Sequence, residues 1–351
     1  MNEVTLLTDY QGRFGSKDNS TYYRGGMDLD ILSSFFKEHD IEITVKNFAE
    51  IDFRKPHQNK IYLYTSQEDA GYEYKSYIED VIDGLTVAGA IVIPEWRYLR
   101  ANNNKVFMEI LRDIVKCDIV KNIRSWSYGT YEEFEKLHYK RFSGGKSVVK
   151  RAGGSGSTGV FGASSFKELD STIRKHMRSR YYGYELWDFG RSLKHKGYRM
   201  ESKHRTKHTV QNLVEGMTND WKVLIFGSRY YIFSRPNRKN DFRASGSGHA
   251  KYLYNEDCPI PEGIFDYAEQ VYQTLDVPHL SIDIGFDGEE FCMIEFQAIY
   301  FGSVGHAEAN FYHTREGNEW KKVNESLALE QVYAEAAVEY INKKNLLMTK
   351  S

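Results

Sequence analysis

The run Ser147-Val148-Val149-Lys150-Arg151-Ala152-Gly153-Gly154-Ser155-Gly156-Ser157-Thr158-Gly159-Val160 places a lysine in an apolar strand and a glycine-rich loop directly after it. Glycines let backbone N–H groups turn toward anionic oxygens without Cβ clashes, and a lysine in such a strand needs an anion to justify its position. The pattern suits phosphate binding by a hairpin-borne cover, with Lys150 at its base. Two other phosphate loops fit less well. Gly145-Lys146-Ser147 has the ending of a P-loop, but Lys140 stands where its first glycine belongs and an apolar strand follows. Gly154-Ser155-Gly156-Ser157-Thr158-Gly159 matches G-x-G-x-x-G, yet the acidic residue that should end a second strand falls at Asp170, inside the helix-like run from Ser165 to Ile173. A serine-glycine turn with no ligand is the plain alternative.

A second set of chemistry-bearing residues lies near the C-terminus. Leu280-Ser281-Ile282-Asp283-Ile284 and Phe291-Cys292-Met293-Ile294-Glu295-Phe296-Gln297 are apolar strands carrying acids. If Gly288 turns the chain into a hairpin, Asp283 and Glu295 lie side by side, and Glu295 and Gln297 share a face. Magnesium favours such convergent oxygens, completed by nucleotide phosphates. For either acid alone, a solvent-facing place on an edge hairpin is the simpler reading; the pair, with a lysine-based glycine loop upstream, favours the metal.

The composition admits this chemistry. At 351 residues, 41% hydrophobic and 15% aromatic, the chain can build two or three cores. With 47 basic and 49 acidic residues the net charge is −2, so no global field draws nucleic acid or anionic lipid. Cys117, Cys258 and Cys292 form an odd, widely spaced set that fits neither a disulfide scaffold nor a zinc ribbon, and a reducing cytoplasm is expected. The start of the chain is too acidic for a signal peptide, and no apolar run reaches membrane-span length.

The elements that must position these residues alternate at first: strand signals at Glu3 to Thr8, Ile41 to Phe48, Lys60 to Thr65 and Ala90 to Pro94, helical ones at Leu29 to Glu38 and Tyr74 to Val87. That alternation predicts an open parallel sheet flanked by helices. Asn102-Asn103-Asn104 supplies capping residues for a helix through Lys105 to Arg112, which marks a boundary. Strand, glycine loop and helix follow, then a polar, basic stretch from Lys194 to His208, strands at Thr209 to Leu213, Trp221 to Phe226 and Tyr230 to Ser234, a helix at Gly263 to Leu275, the two acidic strands, and a helix from Leu327 to Lys343. Expected domains are an N-terminal α/β domain over 1–103, a segment with the glycine loop over 104–208 and a segment with the metal strands over 209–351.

The ordered set resembles the ATP-grasp superfamily, whose members include glutathione synthase and D-alanine:D-alanine ligase. In that family a lysine opens a helix, a second ends a strand before a glycine-rich loop, a hinge strand holds adenine, and a D…E-x-N set binds magnesium. Lys105 looks like the first lysine and Lys150, 45 residues on, like the second. The resemblance implies α/β and α+β architecture with nucleotide between two grasp subdomains, and ATP and Mg2+ as cofactors. It implies phosphate contacts from Lys105, Lys150, Gly153, Gly154, Ser155, Gly156, Ser157, Thr158 and Gly159. Adenine contacts fall near Gln211, Asn212 and Leu213, a ribose contact at Asp220, metal ligation at Asp283, Glu295 and Gln297, and a phosphoryl-touching arginine at Arg243. Two departures stand out: Gln297 replaces the family's asparagine, and the usual proline-glycine after it is Ala298-Ile299.

The resemblance implies an ATP-dependent carboxylate-amine ligase that passes through an acyl phosphate and releases ADP, acting on small-molecule, glycan or peptide substrates. Arg13 and Arg24, on the loop after the first strand, are candidate substrate contacts. The segment from Arg180 to His208 is a candidate lid or acceptor surface. No nucleic-acid or membrane partner is expected, and a homodimer is left open. The alternatives are a grasp-fold kinase, which needs no amine, a nicotinamide dehydrogenase, which needs no magnesium, and a catalytically silent nucleotide-binding module.

Overall fold

The computed structural model describes residues 2–16, 25–66, 69–115, 117–121, 123–138, 141, 145–154, 158–237, 241, 243 and 252–347. Chain order begins with β1 (Asn2–Thr8), α1 (Leu29–Glu38), β2 (Ile41–Asn47), β3 (Ile61–Tyr64), α2 (Glu73–Val87), β4 (Ile91–Ile93) and α3 (Trp96–Ala101). The strands form a four-stranded sheet of order β2-β1-β3-β4 with every pairing parallel. Val4, Leu6 and Leu7 in the central strand are wholly buried, as a parallel strand covered on both faces requires. Asp28 caps α1 by accepting from the amides of Asp30 and Ile31, and the helix turns Leu32 and Phe36 inward.

Next come α4 (Lys105–Ile114), β5 (Ser125–Tyr128), α5 (Tyr131–His138), β6 (Ser147–Arg151), β7 (Val160–Ala163), α6 (Phe166–His176), α7 (Tyr182–Lys194) and β8 (His208–Asn212). These strands make an antiparallel sheet of order β5-β8-β6-β7, with Val149, Val210, Phe134, Leu169 and Ile173 in one core. The glycine loop joins two antiparallel strands, β6 and β7. It is therefore a hairpin cover, and the strand–turn–helix geometry that a dinucleotide fingerprint needs is absent from it.

The remainder is β9 (Asn219–Phe226), β10 (Arg229–Pro236), α8 (Ile264–Leu275), β11 (His279–Phe286), β12 (Phe291–Gln297), α9 (Val304–Ala307), β13 (Tyr312–Glu316), β14 (Glu319–Val323) and α10 (Leu329–Lys343). Its antiparallel sheet runs β12-β11-β9-β10-β13-β14. Gly227 turns β9 into β10 at φ +58°, and a Cβ there would collide with Glu339 on α10.

Chain contacts divide the molecule into two compact units: 1–102 with 115–120 and 216–351, and 103–114 with 121–215. The segments 1–103 and 209–351, expected as separate domains, largely share one core. Val4, Leu6 and Phe36 belong to the same buried cluster as Leu224, Phe226, Val332, Tyr333 and Ile341, with α10 in its midst. The strand His208–Asn212 pairs with β5 and β6, so it belongs with the segment before it.

Candidate functional site

In the smaller unit the phosphate-binding candidates converge on one loop. Asn104 accepts from the Phe107 amide at 3.4 Å and so caps α4, whose first residue is Lys105. The Lys105 amide donates to the Ala152 carbonyl at 2.8 Å, and its ammonium donates to the Gly154 carbonyl at 2.8 Å. Both lysines are buried: Lys105 against this loop, Lys150 in β6 opposite Val160 and Thr209. Gly154 has φ +120°, a conformation that glycine alone adopts freely, and a Cβ on Gly159 would press within 3.0 Å of the Arg151 Cβ. Gly153, Gly154, Thr158 and Gly159 thus sit on the hairpin cover with Lys105 and Lys150. Ser155, Gly156 and Ser157 lie outside the described residues.

Strand β8, the expected hinge, is held from behind. Gln211 donates to Glu109 Oε1 at 3.0 Å, Ser125 donates to Glu109 Oε2 at 2.8 Å, and Arg112 stands 3.5 Å from the same oxygen. Glu109, Arg112 and Gln211 are all fully buried, so α4 carries Lys105 at its start and grips the hinge one turn later. The amides of Asn212 and Leu213 donate to the carbonyls of Arg124 and Lys146 and are engaged within the sheet.

In the larger unit the register brings the metal candidates together. Asp283 lies opposite Glu295, and Ser281 opposite Gln297, so all four side chains share one face of β11 and β12. The pairing slips between Asp283 and Ile284, a bulge of the kind that re-aims side chains beside sites. On the other edge of β11, Lys222 lies opposite Asp283, and Asp220 lies opposite Arg235 on β10. The result is a row of ionisable groups across four strands. Lys222 donates to Asp283 Oδ1 at 2.9 Å, and the Arg235 guanidinium reaches Asp283 Oδ2 at 2.7 Å. Arg235 also grips both oxygens of Asp220 at 2.7 Å, which commits that buried carboxylate to holding the guanidinium. Burial opposes charge on Asp283, but Arg235 and Lys222 outweigh it and hold the carboxyl well below the usual range.

Two further candidates each engage a nearby acid. The Arg243 guanidinium binds Asp241, two residues back, at 2.5 to 3.0 Å. Arg13 pairs with Asp9 at 3.1 Å inside a turn where Asp9 also accepts from the amides of Gln11 and Arg13. Arg24 lies outside the described residues. Sequence reasoning did not single out Lys222, Arg235, Glu109 or Arg112. A signal for the first two was present: charges at Asp220 and Lys222 repeat with strand period in an apolar run, and Arg235 ends another. Among the described residues no group of three His, Cys, Asp or Glu side chains is placed to hold a metal, and no helix is long and apolar enough to cross a membrane.

No protein-family model and no curated protein matches the sequence. Solved structures do resemble it. One is D-cycloserine synthetase DcsG, at 12% identity and TM-score 0.52, the match covering 96% of this chain and 99% of that one. A second is the Chryseobacterium gregarium RiPP-associated ATP-grasp ligase, solved with ADP and a leader and core peptide, at 12% identity and TM-score 0.52 over 97% of both chains. A third is the ATP-grasp ligase PsnB, complexed with minimal precursor, Mg and ADP, at 12% identity and TM-score 0.50 over 96% of both. The matches extend over nearly the whole length of these structures, and the fold of this chain is the ATP-grasp fold.

Proposed function

We propose that the chain is an ATP-dependent carboxylate-amine ligase that makes an amide or peptide-like bond and releases ADP and phosphate. The observation that carries this reading is the row Glu295, Asp283, Lys222, Arg235 on one sheet face. Ion pairs of this kind seldom improve stability over apolar packing, which favours a chemical use for them. Neighbouring folds were solved with ADP, one of them with Mg as well, and the residues here suit both.

Asp283, Glu295 and Gln297 are the oxygen donors that would hold magnesium. Each Asp283 oxygen that accepts from a cation keeps a second lone pair, and glutamine offers a carbonyl with one methylene more reach than asparagine. Bound there, the metal would neutralise charge on phosphate oxygens. Lys105, Lys150 and the loop amides from Gly153 to Gly159 hold the phosphates and orient the terminal phosphoryl group, while backbone near Gln211, Asn212 and Leu213 takes the adenine. The substrate carboxylate accepts that phosphoryl group, ADP leaves, the amine nitrogen attacks the acyl carbon and phosphate departs. Arg243, a fixed guanidinium fork, stabilises the phosphoryl oxygens and the oxyanion.

The test is the intermediate. With pooled carboxylates and amines, ADP release should require both partners, hydroxylamine should trap a hydroxamate, and oxygen-18 from the carboxylate should appear in phosphate. A stable phosphorylated product formed without amine or label transfer identifies a kinase and overturns the ligase reading.

A further inference from the structure

The face of β11 that carries Asp283 leads to a cavity. His279, Ser281 and Asp283 alternate onto one side of the strand, with Ser281 opposite Gln297 and Asp283 opposite Glu295. Ile299, Tyr300 and Phe301, which follow Gln297, line a cavity of about 30 Å³ together with His279, Thr65 and Tyr333, all within the larger unit. At about 10–15 Å³ for each water-sized centre, that volume holds a group of about two heavy atoms. It is built from the stretch in which the proline-glycine usual after the metal set is absent.

The polar atoms around it say what kind of group fits. Buried polar atoms in folded proteins are nearly always paired, so those left over call for an occupant. The hydroxyls of Tyr64, Ser66, Ser281 and Tyr333 and Nδ1 of His279 are buried and have no hydrogen-bond partner among the described residues. They gather here: Tyr64 and Ser66 bracket Thr65, the Tyr64 hydroxyl lies within electrostatic reach of that of Tyr333, and the His279 and Tyr333 rings lie 4.6 Å apart. Other polar groups of the wall are engaged, the Gly15 amide donating to Thr65 Oγ1 at 2.8 Å and Ser303 Oγ to the Ser16 carbonyl at 3.3 Å. Among the described residues that line the cavity there is no Lys, Arg, Asp or Glu, so a charged group would be buried without a counter-charge, and a neutral one is favoured. The His279 imidazole donates to the Ala298 carbonyl; with Nδ1 unpartnered, the donor is Nε2 and Nδ1 is left as an acceptor. The occupant must therefore donate to an imidazole nitrogen beside a phenol that can donate in turn. A hydroxyl does both.

We propose that this cavity is the subsite for a neutral hydroxyl group, borne by the carboxylate substrate at the end remote from its reacting carboxyl group. This rests on the ligase reading above. Asp283 stands four residues from His279, about 14 Å along the strand at about 3.4 Å per residue, so a substrate with its carboxyl group at the proposed metal places its far end beside His279. There the hydroxyl donates to His279 Nδ1 and accepts from Tyr333.

Two measurements on the full chain test it. Crystals are soaked separately with ethanol, acetate and ethylammonium as probes of the cavity; ethanol alone should enter, its hydroxyl within hydrogen-bond distance of His279 Nδ1 and the Tyr333 hydroxyl. In the screen for ADP release, each carboxylate that supports turnover is compared with the analogue carrying hydrogen in place of its remote hydroxyl. That exchange should raise KM at least about tenfold in the parent, where it leaves buried polar groups unpaired, and less than about twofold in Tyr333→Phe. A tyrosine with a structural role only would weaken both substrates alike, and that result overturns the proposal. Should Tyr333→Phe misfold, the soaks and the parent's own preference carry the test. Turnover without a hydroxyl preference, a preference that follows the amine instead, or a cavity that takes only water or either ion overturns the subsite and leaves the ligase reading standing. Ethanol in the soak without a hydroxyl preference in turnover marks binding at crystal concentration only and overturns it as well. No ADP release with any carboxylate and amine overturns the ligase reading itself, and the substrate role of the cavity with it.

Discussion

The sheet of β9, β10 and β11 hides charges, whereas α7 shows apolar side chains to water; each reverses the ordinary partition. In the sheet, Asp220, Arg235, Asp283 and Lys222 are matched in sign and bonded in pairs, so the inversion is satisfied within the fold. On α7, Tyr182, Leu186, Phe189 and Leu193 keep half or more of their surface in water. Buried charges that satisfy one another make a preorganised polar surface, which is what the proposed chemistry needs. Apolar side chains left in water contribute little to the stability of the fold. The two regions should therefore respond to substitution in opposite ways.

The largest expected effect is in the sheet. Asp283→Asn leaves Arg235 and Lys222 facing one another without their shared carboxylate, and breaking a buried pair in this way should cost about 3–5 kcal/mol of stability as well as turnover. Urea unfolding and ADP release measure both. A variant that keeps parental stability and activity would show that the row is neither tightly coupled nor chemical. On the hairpin cover, Lys150→Ala should weaken ATP binding by about 1.5–3 kcal/mol for each charge-assisted bond lost. Unchanged affinity by calorimetry would remove the lysine from the site.

Little of this contrast was legible in the sequence, although part of the candidate site was, and the illegible part has a physical cause. Lys150 and the glycine loop could be read because they break strong local patterns, Lys105 came only through the family resemblance, and Gly288 marked the hairpin that sets Asp283 against Glu295. The partners of Asp283 were not legible. Lys222 and Arg235 sit 61 and 48 residues away, and only the order β11-β9-β10 brings them to it. The helix at Tyr182–Lys194 was missed although Tyr182, Leu186, Phe189 and Leu193 have helical spacing, because two interior glycines and the basic stretch that follows read as loop. The hairpin of β13 and β14 was missed for a related reason: Tyr312, Trp320 and Val323 are too few and too scattered among polar residues to give a period-two signal.

A smaller effect separates two residues on the same strand, four apart. Burial pushes the His279 imidazole down to about 3, so the folded chain keeps it neutral while the unfolded chain protonates it below about 6.5. Between those values the unfolded state binds more protons, so stability rises with pH through the window and this contribution is fully present above it. The slope from His279 reaches about 1.4 kcal/mol per pH unit. Asp283 acts lower: held below the ordinary carboxylate range, it contributes above about pH 4 and is lost only as pH falls through its folded value. His279→Gln should flatten stability between pH 5 and 6.5, leaving the share of His138 and His313, which burial also lowers, each to about 4. An unchanged slope would mean that His279 stays charged inside the fold.

The smallest effect belongs to α7. Leu186→Ser removes a large apolar side chain, and in the core of either unit such a change would cost about 2–5 kcal/mol. At 74% exposure almost nothing packs on it, so the change should fall within about 0.5 kcal/mol of the parent in urea unfolding. If the variant instead loses stability on the core scale, Leu186 is packed in the isolated protein and the comparison with the charged sheet fails. If stability holds, Leu186 contributes little to folding, and the difference between a satisfied inversion and an open one becomes a measured quantity.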